Sequence, residues 1–542
     1  MWEELPTSRG FWVAVLAFRA WNALFVRTSF NPDEYWQSTE VAHRMVFGYG
    51  HLTWEWQDDA QIRGYAHPAI FALFYKLLQL SGLDSRWAVA YGPRLLQAVV
   101  SFLNDYFLYK LASAYFDRKS AKWALLCNLC SWFIFYAMVR PFSNTIETLC
   151  TTAALAYWPW SFQDAAAKKT DGDSALQATA GNRTLALALA ALGVLFRPTN
   201  VVVWVFPGVM LLLGVQDRLR LLLLTVFPIA LATIAAMLVI DRAGYGEWTF
   251  VPLNFVRFNV LEGKDKLYGE HPWNWYFSQG FPSIVGTALP PAIAGYLTVP
   301  STKKDLGYIV LWSLFIYSNA PHKVSPDDIE RYALTEFRFV LPLLPPTLVY
   351  AGYCLRNLEN RLYVQFRERT QRNLLFAAVF SLIVPNVAAS YYLSRTHQRA
   401  PADVMDFLSE RIQASIHFWT PCHATPYYSY LHQNVSMWFP DCSPKNRERP
   451  EGCESHQLER DPVQFLSNKY QFAAAATHEG GSSSEELPTY VVTYSTIAAK
   501  IGNVLDTGNF VEEASFFHSQ VAGDADASDA VDRMLVYRRD MD

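Results

Sequence analysis

The sequence predicts an all-α polytopic membrane protein of about eleven transmembrane helices, followed by a C-terminal α/β domain. Three observations indicate this fold class. Of the 542 residues, 51% are hydrophobic and only 17% are charged, whereas about one quarter of an average soluble protein is charged. Long apolar runs recur from residue 11 to residue 394. Residues 395–542 then have a mixed polar composition, so we predict a transmembrane module over 1–394 and a separate domain after it.

The apolar runs are the candidate membrane spans, since a spanning helix needs roughly 20 mostly apolar residues. The candidates are 11–30, 92–112, 122–140, 143–161, 184–197, 199–216, 219–241, 283–300, 306–320, 339–355 and 373–394. Several are short, and Pro198 interrupts one pair, so merged or re-entrant helices remain open alternatives. The run from His67 to Leu80 carries Lys76 and Gln79 and is too short to span. We therefore predict a helix lying at the membrane interface there.

The distribution of basic residues predicts the orientation, because cytoplasmic loops are enriched in Lys and Arg. With a cytosolic N-terminus, every connection on the cytosolic side is basic. These connections carry Arg118, Lys119, Lys122, Lys168, Lys169, Arg218, Arg220, Lys303, Lys304, Arg356, Arg361, Arg367, Arg369 and Arg372. The lumenal side receives a first loop, 31–91, a second large loop, 242–282, and residues 395–542. Basic residues in lumenal loops suggest an anionic ligand, although long loops also cross membranes regardless of charge.

The C-terminal region is expected to form a small lumenal α/β domain. Thr489–Tyr494 has the composition of a strand, and 480–486 is typical of a flexible loop. Asn434 begins an N-glycosylation sequon on the lumenal side, whereas the sequon at Asn182 falls in the cytosol.

Cysteine spacing leaves one pairing question open. Cys127 and Cys130 form a CxxC inside an apolar run, which favours buried thiols over zinc binding or redox chemistry. In an oxidising lumen, two of the three C-terminal cysteines, Cys422, Cys442 and Cys453, are expected to form a disulfide.

The formal net charge of −4 argues against a nucleic-acid binder.

The first lumenal loop holds the strongest candidate for catalysis. Asp33 and Glu34 follow the first apolar run, and Asn31-Pro32 sets a turn that aims them. Tyr35 and Trp36 follow at once, and we expect their rings to form a sugar-stacking wall. One carboxylate within hydrogen-bond reach of an acceptor hydroxyl suffices as a general base. The alternative is a pair of solvated loop charges.

A second set of candidates is basic and suits a phosphate. Arg197 lies in FRPTN at a lumenal helix end, Arg338 lies in EFRF, and His322-Lys323 follows another helix. Arg binds phosphate in bidentate fashion and Lys acts as a point charge. The alternative is that each basic side chain only snorkels to the interface. Because all fall on one face of the membrane, we predict a phosphate site.

The loop from Glu247 to Ser283 is rich in aromatic and amide side chains, which suit carbohydrate contact. These are Asn254, Asn259, His271, Trp273, Asn274, Trp275 and Tyr276. From the first loop, Arg63 and His67 join the predicted acceptor contacts. Interfacial anchoring by Trp and Tyr is the alternative. The sequence contains no Walker motif, no GxGxxG, no HExxH and no clear metal-ligand cluster.

Several stretches resemble the GT-C mannosyltransferases of glycosyltransferase family 22. They are NPDEYWQSTEVAH, FGYGHLTWEW, IRGYAHP, PRLLQA, FRPTN, NFVRFNVLEG, YGEHPWNWYFSQGFP and EFRFVLPLLP. PCHATPYYSYLH near the C-terminus resembles the subgroup that acts on the glycosylphosphatidylinositol (GPI) precursor. The similarity extends over nearly the whole chain.

The resemblance implies an endoplasmic reticulum membrane enzyme with a lumenal active site. It implies transfer of mannose in α1,2 linkage, with inversion, from dolichyl-phosphate mannose to the second mannose of the GPI precursor, which adds the third mannose. Asp33 maps to the catalytic base, with Glu34 beside it, and neither metal nor another cofactor is required. Dolichyl phosphate is a competent leaving group, so a single displacement is enough. We expect a monomer.

One departure from the family concerns the donor site. The family usually reads HKEFRF, but here VSPDDIERYALT separates His322-Lys323 from Glu336-Phe-Arg-Phe339. This insert, 324–335, either loops out or shifts His322 and Lys323 away, so Arg338 carries more of the prediction.

Three other functions remain to be distinguished. A sister family enzyme would act on the dolichol-linked N-glycan precursor or add a side-branch mannose to GPI. A transporter or flippase would show internal repeats and ionisable residues at mid-membrane. The sequence shows no repeat, and its polar residues gather in the predicted lumenal loops, which argues against a transporter. The resemblance to family 22 favours a mannosyltransferase.

Overall fold

The structure is a computed structural model, and it divides into two compact units. It describes residues 8–57, 60–160, 173–264, 272–319, 336–411, 415–447, 449, 451–470, 486–520 and 531–540. The first compact unit, which we call the helical unit, comprises Met1–Phe25, Ala60–Ala69 and Pro93–Tyr391. The second, the sheet unit, comprises Val26–Asp59, Ile70–Gly92 and Tyr392–Asp542. The predicted boundary after residue 394 falls close to Tyr392, but the sheet unit also includes most of the loop predicted to be the first lumenal one, 31–91.

The described part of the helical unit is mostly helix. Its helices are Arg9–Phe25, Arg118–Cys130, Trp132–Ala137, Ser143–Tyr157, Asp173–Phe196, Val201–Gly214, Arg218–Leu221, Phe227–Tyr245, Val251–Val256, Phe281–Val285, Leu289–Thr298, Asp305–Asn319 and Leu344–Gln365. Ala66–Ser81, Arg86–Tyr115 and Glu368–Arg395 contribute residues to both units. Two helix starts show why the breaks fall where they do. The side chains of Asp117 and Ser131 accept the backbone N–H groups of Ser120 and Ile134, at 2.8 and 3.4 Å, and so cap the helices that follow them.

All eleven predicted apolar runs contain helix. Within the described residues, two helices are long and apolar enough to cross a membrane by length and composition. They are Arg218–Tyr245, with mean hydropathy 2.6, and Glu368–Ser409, with mean hydropathy 1.8. The helix predicted at the interface is present as Ala66–Ser81, with 16 residues. The mostly helical character of the membrane module is therefore confirmed, and the count of eleven crossings stays a prediction.

A buried ion pair joins the first helix to a later one. Arg19 Nε and Nη2 lie 2.7 and 2.8 Å from the carboxylate oxygens of Asp105, and both residues are fully buried. Asn128 Nδ2 donates to Asp105 Oδ1 at 2.6 Å. Because a charge inside an apolar bundle is costly unless it is paired and hydrogen-bonded, this group fixes which helix faces meet.

Gly352 allows two helices to pack with their backbones almost in contact. A Cβ at this position would lie 2.4 Å from the carbonyl oxygen of Ser120 and 2.7 Å from the amide nitrogen of Ala124. Backbone atoms cannot swing aside, so Gly352→Ala should destabilise the protein by about 1–3 kcal/mol. Gly208→Ala is the matched control, because a Cβ there would meet nothing within 4 Å. A thermal unfolding assay that shows equal midpoints for the two variants would contradict this packing.

The sheet unit contains the predicted C-terminal α/β fold. Its five strands are β1 (Ile416–Trp419), β2 (Met437–Trp438), β3 (Tyr490–Tyr494), β4 (Phe510–Gln520) and β5 (Val531–Arg539). Their order in the sheet is β2-β1-β3-β5-β4. β1 pairs in parallel with β2 and β3, whereas β5 pairs antiparallel to β3 and β4. β3 is buried along its whole length, as a central strand should be.

Helices and part of the first loop complete the core of the sheet unit. Its helices are Glu40–Phe47, Ala400–Ser409, Tyr428–Leu431, Pro444–Arg447, Glu454–Arg460, Pro462–Tyr470, Ser495–Ala498 and Gly502–Thr507. Tyr35 and Trp36 belong to the same hydrophobic cluster as Trp419 of β1 and Val492 of β3. The first loop is therefore built into this domain's core.

The structure also settles the cysteine pairing. Cys422 and Cys442 form a disulfide, and Cys453 is a buried free thiol. Asn434 is exposed in the segment before β2, where a glycan has room. The segment 480–486, predicted to be a flexible loop, lies almost entirely outside the described residues.

Candidate active site

The acidic pair opens a helix and does not lie in an extended loop. The carbonyl oxygen of Pro32 accepts the backbone N–H groups of Tyr35 and Trp36, both at 3.0 Å. Helical structure continues from Asp33 to Phe47, with a π-helical turn over Tyr35–Thr39. Proline at the start of a helix is favourable because its missing N–H would have no partner there. Asp33 and Glu34 are thus held on a rigid element.

The two carboxylates differ in exposure. Glu34 is fully buried, whereas Asp33 is half-buried. A general base must come within hydrogen-bond distance of the hydroxyl that it deprotonates. Asp33 is therefore the better candidate for direct contact with an acceptor.

The expected sugar-stacking wall of Tyr35 and Trp36 is wrong. Their side chains are 4% and 2% exposed. Trp36 donates its Nε1–H to the carbonyl oxygen of Thr425 at 3.1 Å, and its ring centroid lies 5.0 Å from that of Tyr427. Aromatic side chains bury large areas and gain from edge-to-face contacts, so these rings stabilise the core and present no open face to a sugar.

His423 lies beside the helical segment Asp33–Phe47, which we call the acidic helix, and the sequence analysis gave it no role. Its ring centroid lies 4.8 Å from that of Trp36, and its φ of 63° places it in the left-handed region. Burial lowers the pKa of His423 to about 4, an effect that the charges of Asp33 and Asp441 oppose. His423 is therefore neutral near pH 7 and lies within electrostatic range of Asp33. His423 lies in the motif PCHATPYYSYLH, which the sequence analysis used only to identify the subgroup and not to select site residues.

Glu40 is a second buried carboxylate that sequence reasoning missed. Its Oε1 accepts the backbone N–H groups of Tyr427 and Ser429, at 2.8 and 3.1 Å, and the Ser429 hydroxyl at 2.6 Å. Its Oε2 accepts the N–H of Tyr428 at 3.1 Å. Burial raises the pKa of Glu40, and these four hydrogen bonds oppose the rise.

A histidine pair near the end of the same helix should make the protein sensitive to acid. His43 Nε2 lies 3.0 Å from Nδ1 of His432, and His43 is fully buried. Burial, and then the neighbouring charge of His432, lower the pKa of His43 to about 3. An unfolded histidine titrates near 6.5, so the neutral pair stabilises the fold above that pH and the stabilisation is lost as the pH falls towards 3.

We expect the free energy of unfolding to fall by roughly 2 kcal/mol between neutral pH and pH 5 through His43. Unfolding midpoints measured across this range should decrease for the wild type, and His43→Gln should flatten the profile. An unchanged slope in the variant would assign the acid sensitivity to other groups.

In the helical unit, Arg197 is anchored by a buried carboxylate. Its Nε lies 3.2 Å from Oε2 of Glu147, and its Nη1 donates to Ser143 Oγ at 3.2 Å. Asn200 Nδ2 donates to the other oxygen of Glu147 at 3.0 Å. The guanidinium also lies over the ring of Phe339, 5.0 Å from its centroid. Arg197 is thus part of a packed polar group and is not a snorkelling side chain.

Two further arginines belong to the same group. Arg338 is 6% exposed and lies 5.5 and 5.2 Å from the ring centroids of Phe142 and Phe339. Arg338 and Arg63 both lie within electrostatic range of Arg197. Arg197 alone is paired with Glu147, so three guanidinium groups within electrostatic range of one another leave an excess of positive charge. This excess suits a phosphate.

Arg63 owes its place to a clamp on residues 61–65. Asp241 Oδ1 accepts the N–H of Tyr65 at 2.8 Å, and the Tyr245 hydroxyl donates to the carbonyl oxygen of Arg63 at 2.7 Å. Gly244 is needed for this fit, since a Cβ there would lie 2.2 Å from the Tyr65 ring. The motif IRGYAHP therefore positions Arg63 near Arg197, in addition to supplying the predicted acceptor contacts Arg63 and His67.

The remaining predicted contacts are divided. Trp273 is 65% exposed, and Asn274 is exposed beside it, so both are open to a ligand. Trp275 instead stacks on Phe337, with ring centroids 5.3 Å apart. His67 is 3% exposed, so direct sugar contact by His67 is not supported. His271, His322, Lys323 and the insert 324–335 lie outside the described residues.

One trio has the residue types of a metal site. The ligand atoms of Cys422, His423 and Cys442 lie within 4.8 Å of one another. The two sulfur atoms are bonded to each other, and cysteine binds a metal as a thiolate, which a disulfide does not provide. This trio is therefore not a metal centre.

Comparisons with known proteins agree with the motifs. A model of the Alg9-like mannosyltransferase family matches residues 10–432. The chain is 38% identical to mannosyltransferase APTG1 of Arabidopsis thaliana over 97% of this chain and 92% of that protein. It is 37% identical to GPI alpha-1,2-mannosyltransferase 3 of Mus musculus over 93% of this chain and 85% of that protein. Its fold is similar to the crystal structure of ArnT from Cupriavidus metallidurans bound to undecaprenyl phosphate, with a TM-score of 0.58, 12% identity and 97% coverage of both chains.

Proposed function

Because the chain belongs to the Alg9-like mannosyltransferase family and has the GT-C fold, we propose that it transfers mannose from dolichyl-phosphate mannose to the second mannose of the GPI precursor. The product carries a third mannose in α1,2 linkage. The choice of this acceptor is supported by the 37% identity to a GPI alpha-1,2-mannosyltransferase 3 over 93% of the chain. We place the enzyme in the endoplasmic reticulum membrane, with about eleven crossings, a cytosolic N-terminus and a lumenal active site.

The proposed reaction is a single displacement with inversion. The 2-hydroxyl oxygen of the acceptor mannose forms a bond to C1 of the donor mannose, and the bond from C1 to the phosphate oxygen breaks. Asp33 accepts the proton of the attacking hydroxyl, and the electron pair of the broken bond leaves on dolichyl phosphate. The half-buried position of Asp33 on a rigid helix supports this role, because a base must be held in a reactive geometry.

Arg197 and Arg338 are assigned to the donor phosphate. Negative charge grows on that phosphate as the C1–O bond breaks, and fixed guanidinium groups stabilise growing charge without reorganisation. Glu147 and Asn200 hold Arg197 in place. Arg63 adds positive charge to this group, and no metal is invoked.

Exposed aromatic and amide groups are assigned to the acceptor. Trp273 and Asn274 are accessible, and a ring face with an adjacent amide suits a sugar. Arg63 has a half-buried side chain and remains a further candidate contact.

A microsomal transfer assay tests this function. Labelled dolichyl-phosphate mannose is supplied with a two-mannose GPI acceptor, and the three-mannose product is the expected result. A product formed only on a dolichol-linked oligosaccharide would move the chain to a sister activity. If mannose is transferred to neither acceptor, the transporter hypothesis would be favoured instead.

A further inference from the structure

Glu40 joins two distant parts of the sequence. It lies in the helix Glu40–Phe47, and its four donors belong to the segment Tyr427–Ser429, 387 to 389 residues away. No salt bridge among the described residues includes Glu40, although its side chain is fully buried. The cost of burying a carboxylate is therefore offset by these hydrogen bonds. A carboxylate is needed because it offers two acceptor oxygens and no donor.

The same segment meets the acidic helix at further points on either side of Glu40. Trp36 donates to the carbonyl oxygen of Thr425 at 3.1 Å, and the hydroxyls of Thr39 and Ser429 lie 3.3 Å apart. Beyond Thr425, His423 packs on Trp36. The segment 423–429 is thus fixed along the helix that begins with Asp33.

We propose that Glu40 is a positioning residue for Asp33: it holds the segment 423–429 against the helix that begins with Asp33, and so fixes the side of that helix on which His423 packs against Trp36. The proposal rests on the proposed function for the role of Asp33. Its distinguishing consequence is kinetic. Loss of the clamp misplaces the base and lowers kcat, whereas the KM for dolichyl-phosphate mannose depends on arginines of the other unit and stays the same.

The test compares Glu40→Gln with the wild-type full chain in lipid nanodiscs. Glutamine has nearly the same size as glutamate, but its NH₂ group is a donor and cannot accept a hydrogen bond from the N–H groups that Glu40 binds. We expect faster hydrogen exchange at the amides of Tyr427, Tyr428 and Ser429, and a kcat lower by roughly 100-fold, the size of effect that a misplacement near 1 Å produces. The donor KM should change less than about twofold. Glu40→Asp, which keeps both acceptor oxygens, should restore part of kcat.

Two further variants separate positioning from general loss of stability. Asp532→Asn alters another buried carboxylate of the sheet unit, which accepts the Ser495 hydroxyl at 3.1 Å, and it should leave kcat unchanged. Ser429→Ala removes only the hydroxyl donor to Glu40. If Glu40→Gln is not expressed as a stable protein, Ser429→Ala is used in its place. It should lower kcat by about threefold to tenfold and speed exchange at the same amides.

The outcomes distinguish this proposal from the proposed function. Wild-type exchange at the three amides in Glu40→Gln would overturn the clamp, whichever acceptor is used. A higher donor KM at unchanged kcat, or an equal loss of kcat in Asp532→Asn, would overturn the positioning role. A wild-type protein that transfers mannose only to a different acceptor would overturn the assigned acceptor, and the kinetic comparison is then made with that acceptor.

Discussion

Replacing Asp33 by asparagine is expected to abolish mannosyl transfer while the protein stays folded. Asparagine has nearly the same shape as aspartate, but its amide cannot accept the proton of the attacking hydroxyl. A positioned general base contributes about 10²–10⁴-fold, so we expect kcat to fall within that range. The measurement is transfer from labelled dolichyl-phosphate mannose to the two-mannose GPI acceptor in microsomes that contain equal amounts of each protein.

Asp506→Asn is the matched control for this variant. Asp506 also lies in the sheet unit, on the helix Gly502–Thr507, and is exposed to solvent. Its replacement should leave both turnover and the unfolding midpoint unchanged. Normal transfer by a stably expressed Asp33→Asn protein would remove Asp33 as the base and direct attention to Glu34.

The second large effect is expected at Arg338. Arg338→Ala removes a buried guanidinium that we assign to the donor phosphate. A hydrogen bond to a charged group contributes about 1.5–3 kcal/mol, which corresponds to roughly 10- to 100-fold in kcat/KM for dolichyl-phosphate mannose. The KM for the acceptor should not change. Initial rates measured over a range of donor concentrations separate these two quantities.

Two comparisons sharpen the Arg338 result. Arg338→Lys keeps the charge but loses bidentate geometry, so its donor kinetics should fall between those of the wild type and Arg338→Ala. Arg369→Ala changes an exposed arginine of the same unit and should behave as wild type. If Arg338→Ala has wild-type donor kinetics, Arg338 serves only to pack Phe142 and Phe339 together.

Much of the architecture is written in local patterns of the sequence. The eleven apolar runs are helical because each run satisfies its backbone hydrogen bonds internally while its side chains remain apolar. Thr489–Tyr494 was identifiable as a strand from its β-branched and aromatic residues, and Tyr490–Tyr494 forms the buried centre of the sheet. The acidic pair and the arginines at helix ends could also be selected as candidates, because all of them fall on the side of the membrane that the charge pattern predicts to be lumenal.

Local patterns failed where one residue type serves two purposes. Tyr35 and Trp36 were assigned to sugar binding, yet they lie in the core of the sheet unit. An aromatic ring gains free energy in either setting, and only the identity of its neighbours tells the two apart. The same ambiguity separates Trp275, which stacks on Phe337, from Trp273, which is exposed.

The sequence by itself therefore determined the helical membrane module, the C-terminal sheet and the kind of chemistry that its motifs support. Only the tertiary structure decided which distant groups meet: Glu40 with Ser429, His423 with Trp36, Cys422 with Cys442, and Arg197 with Glu147. The physical reason is that helix and strand formation depend on neighbours a few residues apart, whereas a buried charge or thiol is satisfied by whichever partner the fold brings to it. A single sequence carries no local record of that partner.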